Sequence, residues 1–494
     1  MKFPSYTLLL ASLASAIWPI PTHYEHGDKV LSISNTVLFT FTTSSEEQPL
    51  QSRLYDAVSQ NSWYGSFLQP RENESSYKKR RASNKQPLDG EDLIKHAVNS
   101  AHNSMFERNL DPWKFHPRNW TEPVLSNVPQ ISHVKLKILQ NDPEDIAKAL
   151  AGNIDESYSL SLTETGEATI SANSSVGIIR GLTTFTQLFF QHSSPSYDSN
   201  GPSCLPDPSA VYTTLAPLLI TDHPKFSHRG LNLDVSRHFF PVKDIKRTID
   251  ALAYNKMNRL HLHVTDSQSW PLEIPSLPRL AEKGAFRPNL VYTVDDFEEL
   301  QYHAAIQGVQ LITEIDMPGH TSSIYHSNPD LIAAFDIQPD HHTYAAEPPS
   351  GTLKLNSSAV YKFLETLFDD LLPRITPFSS YFHTGGDEVN KNAYLLDDTV
   401  LSKDPAVLQP LMQKFIDRNH AQLRKKGLTP IVWEEMLLEW NLTLGKDVVV
   451  QSWRSDEAVD QIVEKGHKAL VGNYMYWVYS ILYFHKVPLS RYVY

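Results

Sequence analysis

Two adjacent carboxyl residues, Asp387 and Glu388, are the part of the sequence best suited to chemistry. They follow His383-Thr384-Gly385-Gly386, directly after the largely apolar run Phe378–Phe382. Neighbouring residues of a regular strand point to opposite faces, but two glycines relax the backbone, so both carboxyls could turn into one cleft. Two carboxyls in one cleft have their pKa values pushed apart, which provides an acid and a negative stabiliser together. A solvated Gly-Gly-Asp turn is the interpretation that this motif alone leaves open.

The elements that would position this pair alternate between strand and helix from about residue 222 onward. The predicted strands are Gly230–Val235, Arg259–Val264, Val309–Ile315, the run ending at Glu388, Pro430–Trp433, Val448–Trp453 and Ala469–Gly472. Helices are predicted over 242–255, 358–372 and 408–426. This alternation predicts an α/β fold in residues 221–494, a (β/α)8-type TIM barrel that lacks its last β/α unit.

A small α+β domain is predicted ahead of the barrel, over residues 17–220. Val134–Leu139 alternates as a half-buried strand, and Tyr158–Leu162 and Thr169–Ala172 predict a hairpin around a glycine turn. Residues 176–190 then change to helical spacing. Within the polar segment 74–90, the basic run Lys78–Arg81 fits a processing site and a solvated loop equally well.

In a barrel of this kind the reactive groups lie at the carboxyl ends of the strands. Polar residues and tryptophans recur at these ends along the chain. They are Asp234, Arg237 and His238 after the first strand, His261, His263, Asp266 and Trp270 at the second, Glu314, Asp316 and His320 at the third, Trp433, Glu434 and Glu435 at the fifth, and Trp453 and Arg454 at the sixth. A cleft with paired carboxylates and aromatic walls is the layout expected for sugar hydrolysis.

The composition and the N-terminus indicate a secreted globular protein. The 494 residues are 41% hydrophobic, and the net charge of -12 argues against nucleic acid and anionic membranes as partners. Residues 1–16 have a basic start, a short apolar run and an Ala-Ser-Ala end, which predicts a secretory signal peptide. Glycosylation sequons occur at Asn73, Asn119, Asn173, Asn356 and Asn441. The single cysteine, Cys204, cannot form an internal disulfide or a site of several thiolates.

Several of these segments resemble glycoside hydrolase family 20, the β-N-acetylhexosaminidases. The resemblance covers roughly residues 130–477. It rests on His228-Arg229-Gly230-Leu231 with Asp234–His238, on Asn258 with His261-Leu262-His263, on Glu314–His320, on His383–Glu388, on Val432–Glu435, and on the helix Gly177–Leu188. The motifs D-x-P-G-H, at Asp316–His320, and H-x-G-G-D-E, at His383–Glu388, are specific when they occur together in this chain order.

The resemblance implies a role for each matching residue. Glu388 resembles the general acid, and Asp387 the residue that orients the substrate's 2-acetamido group, which is the nucleophile in this family. Arg229 resembles a residue that binds sugar hydroxyls, and Asp316 with His320 the pair that tunes the acid. Trp433 and Trp453 resemble walls around the acetamide methyl. The implied substrates are oligosaccharides or glycans that end in β-linked N-acetylhexosamine, and neither a cofactor nor a metal is implied.

The chain departs from the family pattern near its end. Where the family continues with Trp-Tyr-Leu-Asp, Trp477 is followed by Val478-Tyr479-Ser480, and the last strand is missing from the pattern. This predicts a poorly active chain, and an inactive relic or a sugar-binding protein of the same fold is the leading alternative. A metal hydrolase built on His261, His263 and His320 is a weaker one. The sequence does not decide between GlcNAc and GalNAc, between a monomer and a homodimer, or whether the chain is cut at Lys78–Arg81.

Overall fold

The structure, a computed structural model, describes residues 17–43, 46–48, 88–107, 116–192 and 210–473. The predicted signal peptide, Asn73, Lys78–Arg81, Cys204 and Trp477 lie outside these residues. The chain divides into two compact units. The first comprises residues 1–229, 250–258 and 305–309, and the second comprises residues 230–249, 259–304 and 310–494. The first segment of the first unit ends at Arg229, whereas the predicted boundary lies at residue 220.

The first unit is built on a seven-stranded sheet in the order β2-β1-β3-β5-β4-β7-β6. Its strands and helices are β1 His23–Thr43, β2 Glu46–Gln48, α1 Gly90–Phe106, β3 Gln130–Ile138, β4 Tyr158–Leu162, β5 Ala168–Ala172, α2 Ser175–Thr186, β6 Phe190–Gln191 and β7 Val211–Asp222. The predicted hairpin is confirmed, because β4 and β5 pair antiparallel. Both strands alternate between buried and half-buried residues, which is the pattern from which they were predicted.

The second unit contains a seven-stranded sheet in which all neighbours are parallel. Its elements are β8 Gly230–Asp234, α3 Val242–Tyr254, β9 Arg259–Thr265, α4 Arg279–Gly284, α5 Val294–Ala305, β10 Gln310–Ile315, β11 Ile332–Ala333, β12 Thr352–Leu353, α6 Ser358–Ile375, β13 Tyr381–His383, α7 Pro405–Lys425, β14 Thr429–Trp433, α8 Glu434–Leu438, β15 Val449–Ser452, α9 Asp456–Glu464 and β16 Lys468–Val471. All seven predicted barrel strands are confirmed. The sheet order β8-β9-β10-β13-β14-β15-β16 follows the chain order, as in a β/α barrel.

The inner strands owe their position to continuous apolar character. Every residue of β9 and β10 is buried, as expected for parallel strands covered on both faces. Within residues 210–473, β8 and β16 are the edge strands of this sheet. None of the helices among the described residues is long and apolar enough to cross a membrane.

Strand register determines which polar side chains meet. Glu314 of β10 is paired with His263 of β9 and with His383 of β13. His261 lies two residues before His263, so its side chain is on the same face. Because parallel strands all point one way, the residues that follow them come together at one edge of the sheet.

Candidate active site

The turn after β13 brings Asp387 and Glu388 to the same side. Gly385, Gly386 and Glu388 have φ angles of 68°, 104° and 52°, which are left-handed values. A Cβ at Gly385 would lie 1.8 Å from Asp316 Oδ1, and one at Gly386 would lie 2.6 Å from Met436 Cγ. Both glycines are therefore required by conformation and by space. The N–H of Gly386 donates to Asp316 Oδ1 at 2.8 Å, which ties the turn to the end of β10.

His320 is the group that both carboxyls face. Its Nε2 lies 3.4 Å from Glu388 Oε2 and 3.8 Å from Asp387 Oδ2. His320 is itself held in left-handed backbone, with φ of 54°. The side chains of Asp387 and Glu388 are 20% and 24% exposed, whereas that of His320 is 8% exposed. The two carboxyls are thus reachable by a ligand, and the imidazole lies behind them.

The acid that holds His320 from its other side is Asp266. The distance between His320 Nδ1 and Asp266 Oδ1 is 3.1 Å. The sequence-based pairing of His320 with Asp316 stays a prediction: ligand atoms of Asp266, Asp316 and His320 lie within 4.8 Å of one another. Asp316 Oδ1 accepts the N–H of Gly386, because the glycine turn packs directly against it. Asp266 follows β9 and was noted in the sequence, but no local signal connects it to His320.

Asp316 and Asp387 are neighbouring carboxyls whose pKa values are both raised. Burial raises the pKa of Asp387, and burial together with the charge of Asp387 raises the pKa of Asp316 well above its ordinary value. Burial alone would lower the pKa of His320, but Asp266, Asp387 and Asp316 outweigh it and raise that pKa well above 6.5. The site therefore combines two carboxyls of raised pKa with an imidazole of raised pKa.

Glu314 anchors the deepest layer of the site. Its Oε2 lies 2.8 Å from His261 Nε2 and 2.7 Å from His263 Nδ1. Its Oε1 accepts the indole N–H of Trp433 at 2.8 Å. Burial would raise the pKa of Glu314, but His383, His263 and His261 hold it well below its ordinary value. Trp433 is only 3% exposed, so its ring is a support for the histidines more than an open wall.

Trp453 is the tryptophan that faces outward. It is half-buried, and its indole N–H donates to Glu435 Oε1 at 2.9 Å. Burial and the nearby Asp387 raise the pKa of Glu435 to about 8. Sequence reasoning placed Glu435 at this strand end without a role. The structure makes it the group that fixes the Trp453 ring.

Arg229 belongs to the first unit. It precedes β8, and its guanidinium bonds to Glu156 through Nη1 at 3.1 Å and Nη2 at 2.6 Å. Its Nε donates to the carbonyl of Lys256 at 2.9 Å. All three nitrogens of Arg229 are thus engaged within the first unit, and its implied role in binding sugar hydroxyls stays a prediction.

Arg237 is the arginine at the carboxyl end of the same strand. Its Nη1 lies 3.0 Å from Asp234 Oδ2 and 2.9 Å from Asp266 Oδ2, and its Nη2 lies 3.1 Å from Glu347 Oε2. Sequence reasoning named Arg237 as an exit residue but gave the sugar-binding role to Arg229. The two arginines differ in their position relative to β8. Arg237, after the strand, is the one of the two that contacts Asp266, the partner of His320.

Several imidazoles and carboxyls are close enough to share a metal ion. One such group, His261, Glu314 and His383, has ligand atoms within 4.8 Å of one another. The ring nitrogens that would ligate a metal already face acids: both of His263 contact Glu314 and Asp266, and Nε2 of His261 contacts Glu314. These carboxylate partners fit a charge-paired network, and the expectation that the site needs no metal stays a prediction.

Two family descriptions match the chain. Residues 226–487 match the catalytic domain of glycosyl hydrolase family 20, and residues 17–188 match a region described as beta-acetyl hexosaminidase like. The matched catalytic region contains Asp266, His320, Asp387 and Glu388. The match to the catalytic domain therefore covers the segments that carry the site, whereas the second match lies before them.

Similar proteins are hexosaminidases. A beta-hexosaminidase of Arthroderma benhamiae is 40% identical over 94% of this chain and 75% of its own length. A chitooligosaccharidolytic beta-N-acetylglucosaminidase of Ostrinia furnacalis is 30% identical, covering 69% of this chain and 58% of its own length. Among solved structures, the chitobiase of Flavobacterium johnsoniae has a TM-score of 0.65 at 24% identity, over 92% of this chain and 58% of that one. The chain thus spans less than two thirds of the length of the Ostrinia relative and of the Flavobacterium structure. The match to the catalytic domain and the identity to the Arthroderma protein establish that the chain belongs to glycosyl hydrolase family 20.

Proposed function

We propose that this chain is an exo-acting β-N-acetylhexosaminidase that removes terminal β-linked GlcNAc or GalNAc with retention of configuration. The observation that carries the proposal is that Asp387 and Glu388 face the same nitrogen of His320, at 3.8 and 3.4 Å. The nucleophile is then the 2-acetamido group of the substrate, as in the substrate-assisted glycosidases.

Glu388 is the general acid in this mechanism. It is partly exposed, so a glycosidic oxygen can approach it, and it contacts an imidazole that is held by Asp266. A positioned acid lowers the barrier most when the leaving oxygen is a poor leaving group. After the aglycone departs, the same carboxylate takes a proton from the incoming water.

The two neighbouring carboxyls suit a nucleophile supplied by the substrate. The contact atoms of His320, Asp387 and Glu388 lie within 4.8 Å of one another. A water placed between two carboxyls, as in inverting enzymes, needs about 6.5–9.5 Å. Asp387 and Glu388 lie on one side, so attack from the opposite face falls to the acetamide oxygen. That oxygen bonds to C1 as the C1–O bond breaks, and Glu388 protonates the departing oxygen.

Asp387, Trp453 and Arg237 complete the sugar site in this proposal. Asp387 accepts the acetamide N–H, which strengthens the oxygen as a nucleophile. Trp453, fixed by Glu435, forms a wall for the acetamide methyl. Arg237 offers sugar hydroxyls the donors of its guanidinium, a role that its position at the strand exit supports.

Secretion, substrate and assembly follow as further parts of the proposal. Asn119, Asn356 and Asn441 are exposed and suited to glycosylation, whereas the amide of Asn173 donates to Asp155 Oδ2 at 2.7 Å. The name of the Ostrinia relative and the GlcNAc bound to the Vibrio harveyi enzyme favour chito-oligosaccharides as substrates. We propose a secreted glycoprotein and a homodimer, which glycan mapping and light scattering would test.

The decisive experiment compares leaving groups in the variant Glu388→Gln. We expect a loss of about 10²–10⁴-fold in kcat/KM for chitobiose, whose leaving group is poor, and a much smaller loss for a dinitrophenyl GlcNAc. Glu365→Gln, an exposed acid paired with Arg418, is the control. Equal losses on both substrates would remove Glu388 from the acid role. Sugar binding without turnover by the parent chain would favour a non-catalytic relic, and loss of turnover on chelation would favour the metal alternative.

A further inference from the structure

The acid Glu388 stands at the outer end of a line of alternating carboxyls and imidazoles. Four contacts make up this line. They are Glu388 Oε2 to His320 Nε2 at 3.4 Å, His320 Nδ1 to Asp266 Oδ1 at 3.1 Å, Asp266 Oδ2 to His263 Nε2 at 2.7 Å, and His263 Nδ1 to Glu314 Oε2 at 2.7 Å. The line runs from a partly exposed carboxyl to a fully buried one.

His263 has an unusual position in this line. Each of its ring nitrogens lies 2.7 Å from a carboxylate oxygen, one on Asp266 and one on Glu314. A carboxylate can only accept hydrogen bonds, so both ring nitrogens must carry a proton for both bonds to form. The residue is 5% exposed, so water does not compete with the two carboxylates for these hydrogen bonds. The geometry thus describes an imidazolium between two anions.

We propose that His263 is a positioning residue for the acid: it remains doubly protonated and, through Asp266, fixes the ring of His320 against Glu388. The inference rests on the function proposed above, since it concerns how that acid is held. It assigns a role in the reaction to a side chain that lies two contacts away from Glu388.

Asp266 is the connection on which this effect depends. Its Oδ2 is held by His263 and by Arg237 Nη1 at 2.9 Å, which leaves Oδ1 for His320 and the N–H of Ser267. A carboxylate so occupied cannot rotate without breaking bonds to two cations. His320 then keeps its Nδ1–H on Asp266 and its Nε2 toward Glu388. Without His263, one side of Asp266 would be released, and the tilt of the His320 ring would no longer be fixed.

The charges around His263 agree with a permanent proton. The acids facing it are Glu314 from β10 and Asp266 from its own strand exit. The basic groups are Arg237, whose Nη1 lies 3.5 Å from His263 Nε2, and the imidazoles of His261 and His383. Burial alone would lower the pKa of His263, but Glu314 and Asp266 raise it well above 6.5.

His261 provides a matched control on the same strand. Its side chain has the same 7% exposure as that of His263, and its Nε2 lies 2.8 Å from the same Glu314 oxygen. Among the described residues no hydrogen bond joins His261 to Asp266. Loss of either imidazole removes a ring and a bond to Glu314, but only loss of His263 disconnects Asp266.

The test compares His263→Phe with His261→Phe on chitobiose and on a dinitrophenyl GlcNAc. For His263→Phe we expect kcat on chitobiose to fall about 10–100-fold and kcat on the activated substrate to fall less than about threefold, because only the first needs the acid. For His261→Phe we expect equal changes on both substrates. Equal changes for His263→Phe as well would overturn the proposal, since a merely structural role affects both substrates alike.

Nitrogen NMR of histidine-labelled protein gives a second readout that needs neither turnover nor a folded variant. In the parent chain, we expect the His263 ring to keep two protonated nitrogens at pH values above the ordinary imidazole pKa of about 6.5. A neutral His263 ring in the folded parent would overturn the inference. If the parent hydrolyses neither substrate, the proposed function fails while this measurement still decides the protonation of His263.

Discussion

The substitution Glu156→Gln should weaken the first unit in a way that depends on pH. Glu156 is 9% exposed and bonds to Arg180 Nε at 3.0 Å, to Arg229 Nη2 at 2.6 Å and to the amide of Asn258 at 2.9 Å. Burial alone would raise the pKa of Glu156, but Arg180 and Arg229 lower it to about 2 from the ordinary 4.5. A difference of about 2.5 units corresponds to about 3.4 kcal/mol of folding free energy at neutral pH, at about 1.36 kcal/mol per unit.

The sign of the effect follows from the direction of this shift. Because the folded-state pKa of Glu156 is lowered, its contribution is complete above about pH 4.5 and is lost as the pH falls through about 2. At pH 3, about 2 kcal/mol of that contribution should be gone. Glutamine has no charge to lose, so the difference in unfolding free energy between parent and variant should shrink by about 2 kcal/mol from pH 6 to pH 3.

Native-state hydrogen exchange of the β4 amides measures this difference within the first unit itself. Rates at each pH, corrected for intrinsic exchange, give the opening free energy of parent and variant. Glu164→Gln is the control, because its exposed ion pair with Lys29 should contribute no more than about 1 kcal/mol. A difference between parent and Glu156→Gln that stays constant from pH 6 to pH 3 would refute the reasoning.

Two further outcomes are expected at the catalytic turn. Gly385→Ala should lower the melting temperature, because left-handed backbone costs an alanine about 1–2 kcal/mol, and should also reduce kcat, because the new methyl group displaces Asp316. Gly427→Ala is the control: with φ of 76° and open space around it, it should lower the melting temperature and leave kcat unchanged. Asp387→Asn should hydrolyse 2-acetamido substrates more slowly. It should also lower the pKa of Asp316, measured by carboxyl NMR, because it removes the neighbouring charge. Mass-spectrometric detection of a sugar bound covalently to a protein carboxylate would contradict this assignment.

The barrel could be predicted from the sequence because its strands are short buried runs separated by helices. The long strand β1 could not, because its residues show no regular alternation of burial. Its partners also lie far along the chain: Thr40 pairs with Lys135, and Leu31 with Thr213. Such pairings depend on tertiary contacts that no local window contains.

The candidate pair Asp387 and Glu388 could be recognised in the sequence because its signal is local, in two glycines and two acids. The partners of that pair could not, because Asp266 and His320 are 54 residues apart and meet only when β9 and β10 align. Arg229 and Arg237 show the same limit. Both arginines flank β8. Arg229, before the strand, bonds to Glu156, and Arg237, after the strand, bonds to Asp266. Which arginine belongs to the site therefore depends on the direction of β8 in the sheet.

The left-handed backbone of Glu388 sets stability against activity at the residue proposed as the general acid. A non-glycine residue in this conformation costs about 1 kcal/mol or more, which glycine would avoid. The side chain is partly exposed, so its packing compensates little. Selection for folding alone would therefore favour glycine at position 388, and only selection for turnover keeps glutamate there. A thermostabilised version obtained without an activity screen should be checked first at this position.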